Sequence, residues 1–236
     1  MRRLSDYLLF LEELRESKNF NQNLILRHDI DVGLSAGLAM VQAENSIGIE
    51  SITFVRMDSE CFNPFGIESA DQILSIARLG TIGLHMNSPS SYPSPEEFNS
   101  QLLKFKLGLE SIAEVEVKEV SWHRPDKRDL GGPDFINGLR NFYSDHLFVN
   151  SVYVSDSANS WSGEKQKRVI DGLANNELVH LLIHPEWWLS ENHSYSFEKA
   201  LSLELKKAES EINREISFFG GQFRVQNLDL DFVGGD

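Results

Sequence analysis

Five short apolar runs in this chain each end in a histidine or an aspartate. Residues 24–27 run into His28-Asp29-Ile30-Asp31, residues 81–84 into His85, and residues 117–122 into His123-Arg124-Pro125. Residues 152–155 run into Asp156, and residues 178–183 into His184-Pro185. Imidazole nitrogens and carboxylate oxygens ligate divalent metals, and they also move protons near neutral pH. Three histidines and three aspartates meeting at one rim would make a metal site or an acid/base cluster. Asp29 and Asp31 are two residues apart, so on a strand they point to the same side and can share that site. One can bind a cation while the other, kept charged by a nearby cation, accepts a proton. Each residue alone has a plainer reading. An aspartate after a strand is often a helix N-cap, a histidine beside a strand is often a hydrogen-bonded structural residue, and His123-Arg124-Pro125 fits a turn. Repetition at strand ends is what favours a site.

The elements that must position these residues alternate. After the run at 24–27 comes a helical pattern over 34–47. The run at 51–55 precedes a helix near 69–78, the run at 81–84 a helix over 95–112, and the run at 117–122 a Gly131-Gly132-Pro133 loop. Residues 147–154 read as one or two more strands, residues 178–183 as another, and residues 197–219 as a long helix. Strand alternating with helix is the pattern of parallel α/β architecture, and near-continuous apolar strands are buried on both faces. Six or seven strands suit an incomplete, TIM-barrel-like (β/α) barrel better than a small open sheet, with a doubly wound sheet as the alternative. In a barrel the strand ends converge on one rim. Apolar positions Tyr7, Leu8, Leu11 and Leu14 predict an amphipathic first helix capped by Ser5.

Composition bounds the rest. The 236 residues carry a formal net charge of −14 and a single cysteine, Cys61. The acidity disfavours nucleic acid or an anionic membrane as the main partner. One cysteine excludes an internal disulfide and fits a reducing compartment. No run approaches 18 apolar residues, so no membrane-spanning helix is expected, and the start of the chain does not read as a signal peptide. The expectation is a cytoplasmic protein forming a single domain over residues 1–236. His180 reads as packing, His146 and His193 as solvated loop residues, Glu110, Glu114 and Glu116 as solvated surface, and the acidic stretch 227–236 as a tail. Trp161, Trp187 and Trp188 lie near the strand-end residues and read equally as a ligand-stacking platform or as core.

The segments Arg27-His-Asp-Ile-Asp31, Gly83-Leu-His85, His123-Arg-Pro125, Ser155-Asp-Ser157 with Trp161, and Leu182-Ile-His-Pro-Glu-Trp187 resemble the polysaccharide deacetylase (NodB-homology) family, carbohydrate esterase family four. They resemble most the branch found with genes for bacterial surface-polysaccharide (O-antigen) synthesis. The resemblance implies a distorted (β/α)7 barrel that hydrolyses N-acetyl groups on sugars with one divalent metal, usually zinc. It implies Asp29 as general base, Arg124 as the arginine orienting that base, and His184 as general acid. It implies Asp31 and His85 as metal ligands, and Asp156, Trp161 and Trp187 as substrate-binding. The family's further metal histidine, four residues after the first, is replaced here by Pro89, which cannot coordinate. His123, ending a neighbouring strand, is the preferred third ligand, with Asp156 and Asn87 behind it. The implied substrate is a nucleotide- or lipid-linked amino sugar.

Two rivals stay open at this point. One is another metal amidohydrolase or phosphatase; the other is a sugar-binding barrel that has lost its metal. One bound equivalent of metal favours the deacetylase, two the phosphatase-like site and none the binder.

Overall fold

A computed structural model describes residues 3–188 and 197–218 of the chain. Eight strands form one sheet: β1 (Leu24–Ile30), β2 (Ile52–Arg56), β3 (Thr81–Asn87), β4 (Glu119–His123), β5 (Phe135–Ile136), β6 (Leu139–Asn141), β7 (Val152–Ser155) and β8 (Val179–Ile183). The spatial order is β5-β6-β4-β3-β2-β1-β8-β7. Every pairing is parallel except that of β5 with β6. Seven parallel strands therefore follow one another in barrel order, with β8 returning beside β1. The two ends of the sheet, β5 and β7, are not laddered together among the described residues, so the barrel keeps an open seam.

The helices are α1 (Leu4–Arg15), α2 (Phe20–Asn23), α3 (Leu34–Ser46), α4 (Ile67–Leu79), α5 (Pro95–Ala113), α6 (Gly163–Ala174) and α7 (Phe197–Phe218). Two of these helices, α5 and α6, begin at a serine cap. Ser94 caps α5 by accepting the Glu97 N–H, and Pro95 fills its first position, where no donor is needed. The first helix differs from expectation. Ser5 lies inside α1, whose N-cap is Arg3, and the Asp6 carboxylate accepts the Arg3 backbone N–H at 3.2 Å.

Alternation along the strands divides the molecule. Leu26, Ile30, Leu84 and Trp122 face the helices and join the two large apolar clusters. Phe54, Phe142 and Leu147 form a smaller cluster with Ile25, Ile52 and Leu178. Burying these apolar faces supplies most of the fold's stability. Gly83 is required by this packing, because a Cβ there would sit 2.5 Å from the Phe54 ring. His28 pairs with the buried Glu44 of α3 at 2.8 Å, away from the opposite face of β1 that carries Asp29.

The region around 147–154 holds one strand, not two. Residues Asp145–Val149 form a π-helical turn, whose position lets Leu147 enter the core and its carbonyl accept from His180 at 2.8 Å. His146 is exposed, as expected. Glu110 is not simply solvated: it accepts from the Val117 N–H at 3.0 Å and from Lys106. His193 and the tail 227–236 lie outside the described residues, as does the last residue of the expected helix 197–219. No helix among the described residues is long and apolar enough to cross a membrane.

Candidate functional site

Strand β1 places Asp29 at its inner face, and Asp31 follows in the turn that leads into α3. Strands β3 and β4 end in His85 and His123 beside it. The Asp31 Oδ1 atom lies 3.0 Å from His123 Nδ1 and 3.4 Å from His85 Nε2. The three donor atoms fall within 4.8 Å of one another. Two ligands of a tetrahedral ion with bonds of about 2.0–2.1 Å sit about 3.3 Å apart, so this spacing suits one small divalent cation. His85 is held for that task, since its Nδ1 bonds the Ser121 carbonyl at 3.2 Å and leaves Nε2 facing the cluster. The Asp31 carboxyl is held far below the usual range. Burial opposes this, but hydrogen bonds from His123 and His85 and the charge of His184 overcome it.

His184, after β8, approaches from the other side, its Nε2 3.9 Å from Asp31 Oδ2. Its Nδ1 donates to Asp156 Oδ1 at 2.7 Å. Burial would lower the imidazole pKa, yet the Asp156 bond and charge raise it to about 9. At neutral pH this ring is therefore an imidazolium with a proton to give. Asp156 itself is fully buried and also accepts the backbone N–H of His184 and the Trp188 indole N–H at 2.8 Å. It is thus the anchor of His184, with no surface left for substrate, which corrects the substrate-binding expectation.

The arginine beside the expected base is also different. Arg27, fully buried on the same strand, places its guanidinium Nη2 3.1 Å from Asp29 Oδ2 and 2.9 Å from the Tyr143 hydroxyl. The rings of Phe54 and Tyr143 lie 5.5 Å and 4.8 Å from its Cζ, a cation–π cradle. Arg124 is exposed, in a left-handed conformation (φ 48°) that ends β4, and it makes no ion pair with Asp29 among the described residues. That backbone conformation is unfavourable for a residue before proline, and it puts the side chain on the surface.

Trp161 packs edge-on against Phe10 and Trp188 at 5.6 Å and 5.5 Å, and Trp187 packs against the same cluster. All three tryptophans therefore pack against the core under α1, Trp188 fully buried and Trp161 and Trp187 partly so. Asn87 turns toward Asp58 at 3.3 Å. His180 is buried between Phe142 and Tyr153, its pKa lowered by burial and then by the charge of Arg27.

Glu186 had no role on sequence grounds. Its Oε1 accepts the backbone N–H groups of Asp31 and Val32, both at 3.1 Å, and so fixes the turn that presents Asp31. Burial, then the Asp31 charge, pushes its carboxyl up to about 7. Nothing local in the sequence shows that the segment after β8 reaches back to the end of β1.

The anchoring of His184 has a measurable consequence. A histidine at about 9 in the folded chain, against an ordinary 6.5, stabilises the fold fully below pH 6.5. That contribution fades as pH rises through about 9. Asp156→Asn in chelator-treated protein should therefore lose more stability at pH 6 than at pH 10, by up to about 3 kcal/mol. Urea unfolding at the two pH values reads this directly, and an equal loss at both would refute it.

Neither a family model nor a curated protein matches the chain. Among solved structures, a family 4 acetyl xylan esterase from Clostridium thermocellum in complex with cobalt is similar at 15% identity and a TM-score of 0.45, covering 84% of this chain and 91% of that one. A family 4 carbohydrate esterase from Bacillus anthracis is similar at 15% and 0.44, covering 92% and 88%. A chitin deacetylase from Colletotrichum lindemuthianum is similar at 16% and 0.41, covering 78% and 81%.

Proposed function

We propose that the chain is a metal-dependent hydrolase that removes an N-acyl group from an amino sugar, serving bacterial surface-polysaccharide synthesis. The observation that carries the reading is the convergence of Asp31, His85 and His123 within 4.8 Å, flanked by a carboxylate at Asp29 and an imidazolium at His184. The donor set of one carboxylate and two imidazoles is that of a catalytic zinc site, which keeps a position for water. A zinc ion bound there would supply Lewis-acid activation of water and of the amide carbonyl.

The chain's own groups divide the proton work. Asp29 lies 3.9 Å from His85 Nε2, close enough to serve a water beside the cluster. It accepts the proton that the attacking water gives up. Ser121 Oγ, 3.5 Å from both Asp29 oxygens, and Arg27 fix its orientation. His184 gives its Nε2 proton to the departing sugar amine, and Asp156 holds the ring and steadies its positive charge. Two groups of opposite protonation state on opposite sides of one site are what amide hydrolysis needs.

Metal content of protein purified without chelator, with acetate or formate release from N-acylated sugars, tests the reading. One equivalent and turnover support it; two equivalents or none would replace it with one of the rivals. His123→Ala should weaken zinc binding by more than about tenfold, since it removes one of only three protein ligands. Competition with a chelating dye measures this, and a smaller loss would assign the third ligand elsewhere.

A further inference from the structure

We propose that Arg56 forms an anion subsite of the reaction centre, taking a carboxylate or phosphate group carried by the sugar beside the amide to be cleaved. The proposal rests on the reading of the site as a sugar amidase. Strands β1, β3, β4 and β8 each deliver a side chain to that centre, and β2 lies between β1 and β3. Its pairing with β3 sets Arg56 directly beside His85. Its pairing with β1 runs to Ile30 opposite Val55, so Arg56 follows at the level of Asp31. Neighbouring strands are about 4.8 Å apart. Arg56 therefore stands between two of the three proposed metal ligands. It also shares their face of the sheet, being two residues past Phe54, which pairs with Asp29.

The side chain is braced at one edge and open at the other. Its Nε donates to Asp58 Oδ1 at 3.1 Å, and Asp58 Oδ2 accepts from Asn87 at 3.3 Å. Asn87 pairs in register with His123, so the brace is tied to the strand that carries the third ligand. Burial raises the pKa of Cys61, in the loop after β2, and of Tyr92, in the loop after β3, and the Arg56 charge partly offsets both rises. The guanidinium thus lies at the rim between those two loops. Only 13% of the side chain is exposed, yet among the described residues its terminal nitrogens have no hydrogen-bond partner. A guanidinium stays charged at any working pH, and its planar fork matches the paired oxygens of a carboxylate or phosphate. Anionic oxygens make shorter and stronger bonds to such a fork than neutral hydroxyls do. An N-acylated sugar that also bears an anion is therefore the substrate class the rim favours, over a neutral one.

The test compares N-acetylglucosamine, its 1-phosphate and N-acetylglucosaminuronic acid. At least one anionic sugar should have a KM about tenfold or more below the neutral one, the usual worth of a charged hydrogen-bond pair. The uronic acid ranking first places the anion on the ring, and the 1-phosphate ranking first places it at the anomeric position; either supports the subsite. Arg56→Met should bring the three KM values within about twofold of one another. Comparing sugars within one variant cancels any general loss of folded or metal-loaded protein. Arg56→Lys should keep part of the preference, since the charge stays while the fork is lost. A neutral sugar that does as well as both anions overturns the subsite. So does a preference that survives Arg56→Met, which means that another group holds the anion. A fall in kcat alike for all three, with KM unmoved, assigns Arg56 to the reacting carbonyl instead. Each of these leaves the hydrolase reading standing. If none is turned over, calorimetric binding of the same sugars decides. An anionic preference lost in Arg56→Met upholds the subsite and sinks the hydrolase; no binding, or no preference, sinks both.

Discussion

Asp29→Asn is expected to leave one equivalent of zinc bound and to cut turnover by roughly 10²–10⁴-fold, the usual worth of a positioned general base. The amide matches the carboxylate in shape and size, so packing around this buried side chain is preserved. What it loses is the ability to accept the water's proton. Asp31→Asn, two residues on, should behave oppositely and lose metal and activity together. Asp31 alone of the pair stands within 3.0–3.4 Å of the two histidine nitrogens that could share a cation with it. Metal analysis beside steady-state rates for both variants separates the roles. If Asp29→Asn sheds the metal, the two aspartates have been assigned in reverse. If it binds an N-acylated sugar as well as wild type and neither protein hydrolyses it, the chain is a binder.

The positions that converge were legible because strand alternation and strand ends are local properties. Residues 29 and 31 share parity, and an apolar run that stops at a histidine marks a rim in any parallel barrel. Arg27 was legible by the same rule, two residues before Asp29 on the same face, but the arginine of the familiar motif at 124 drew the role. What moved Arg124 away is a backbone choice at the end of β4, which no composition or periodicity encodes. The fate of the tryptophans was equally hidden. Trp161 packs edge-on against Phe10 of α1, more than a hundred residues away in sequence. Helix α6 was readable in the sequence, with Ser162 as its cap and Val169, Gly172 and Leu173 buried at helical spacing, but its polar composition drew no helix assignment. The π-turn at 145–149 was mistaken for strand because a short apolar run carries no decisive period.

Arg27→Met should be nearly as damaging to catalysis as removing the base, although Arg27 touches neither metal nor water. The substitution keeps an apolar stem for the Phe54 and Tyr143 rings but takes away the cation 3.1 Å from Asp29. A carboxylate only 2% exposed is then left buried and unpaired, without the bond that aims it at the water. Turnover should fall about 10²-fold or more with KM and zinc content little changed, and Arg27→Lys should restore part of it. Stability gives an independent reading. Breaking a buried ion pair from one side costs about 3–5 kcal/mol, because the surviving charge is stranded. The double variant Arg27→Met, Asp29→Asn strands none, so it should be more stable than Arg27→Met alone. Additive losses in a double-mutant cycle followed by urea unfolding would mean that the two side chains do not act as a unit. Full activity in Arg27→Met would return the orientation of Asp29 to Ser121 alone, whose hydroxyl stands 3.5 Å from both carboxylate oxygens.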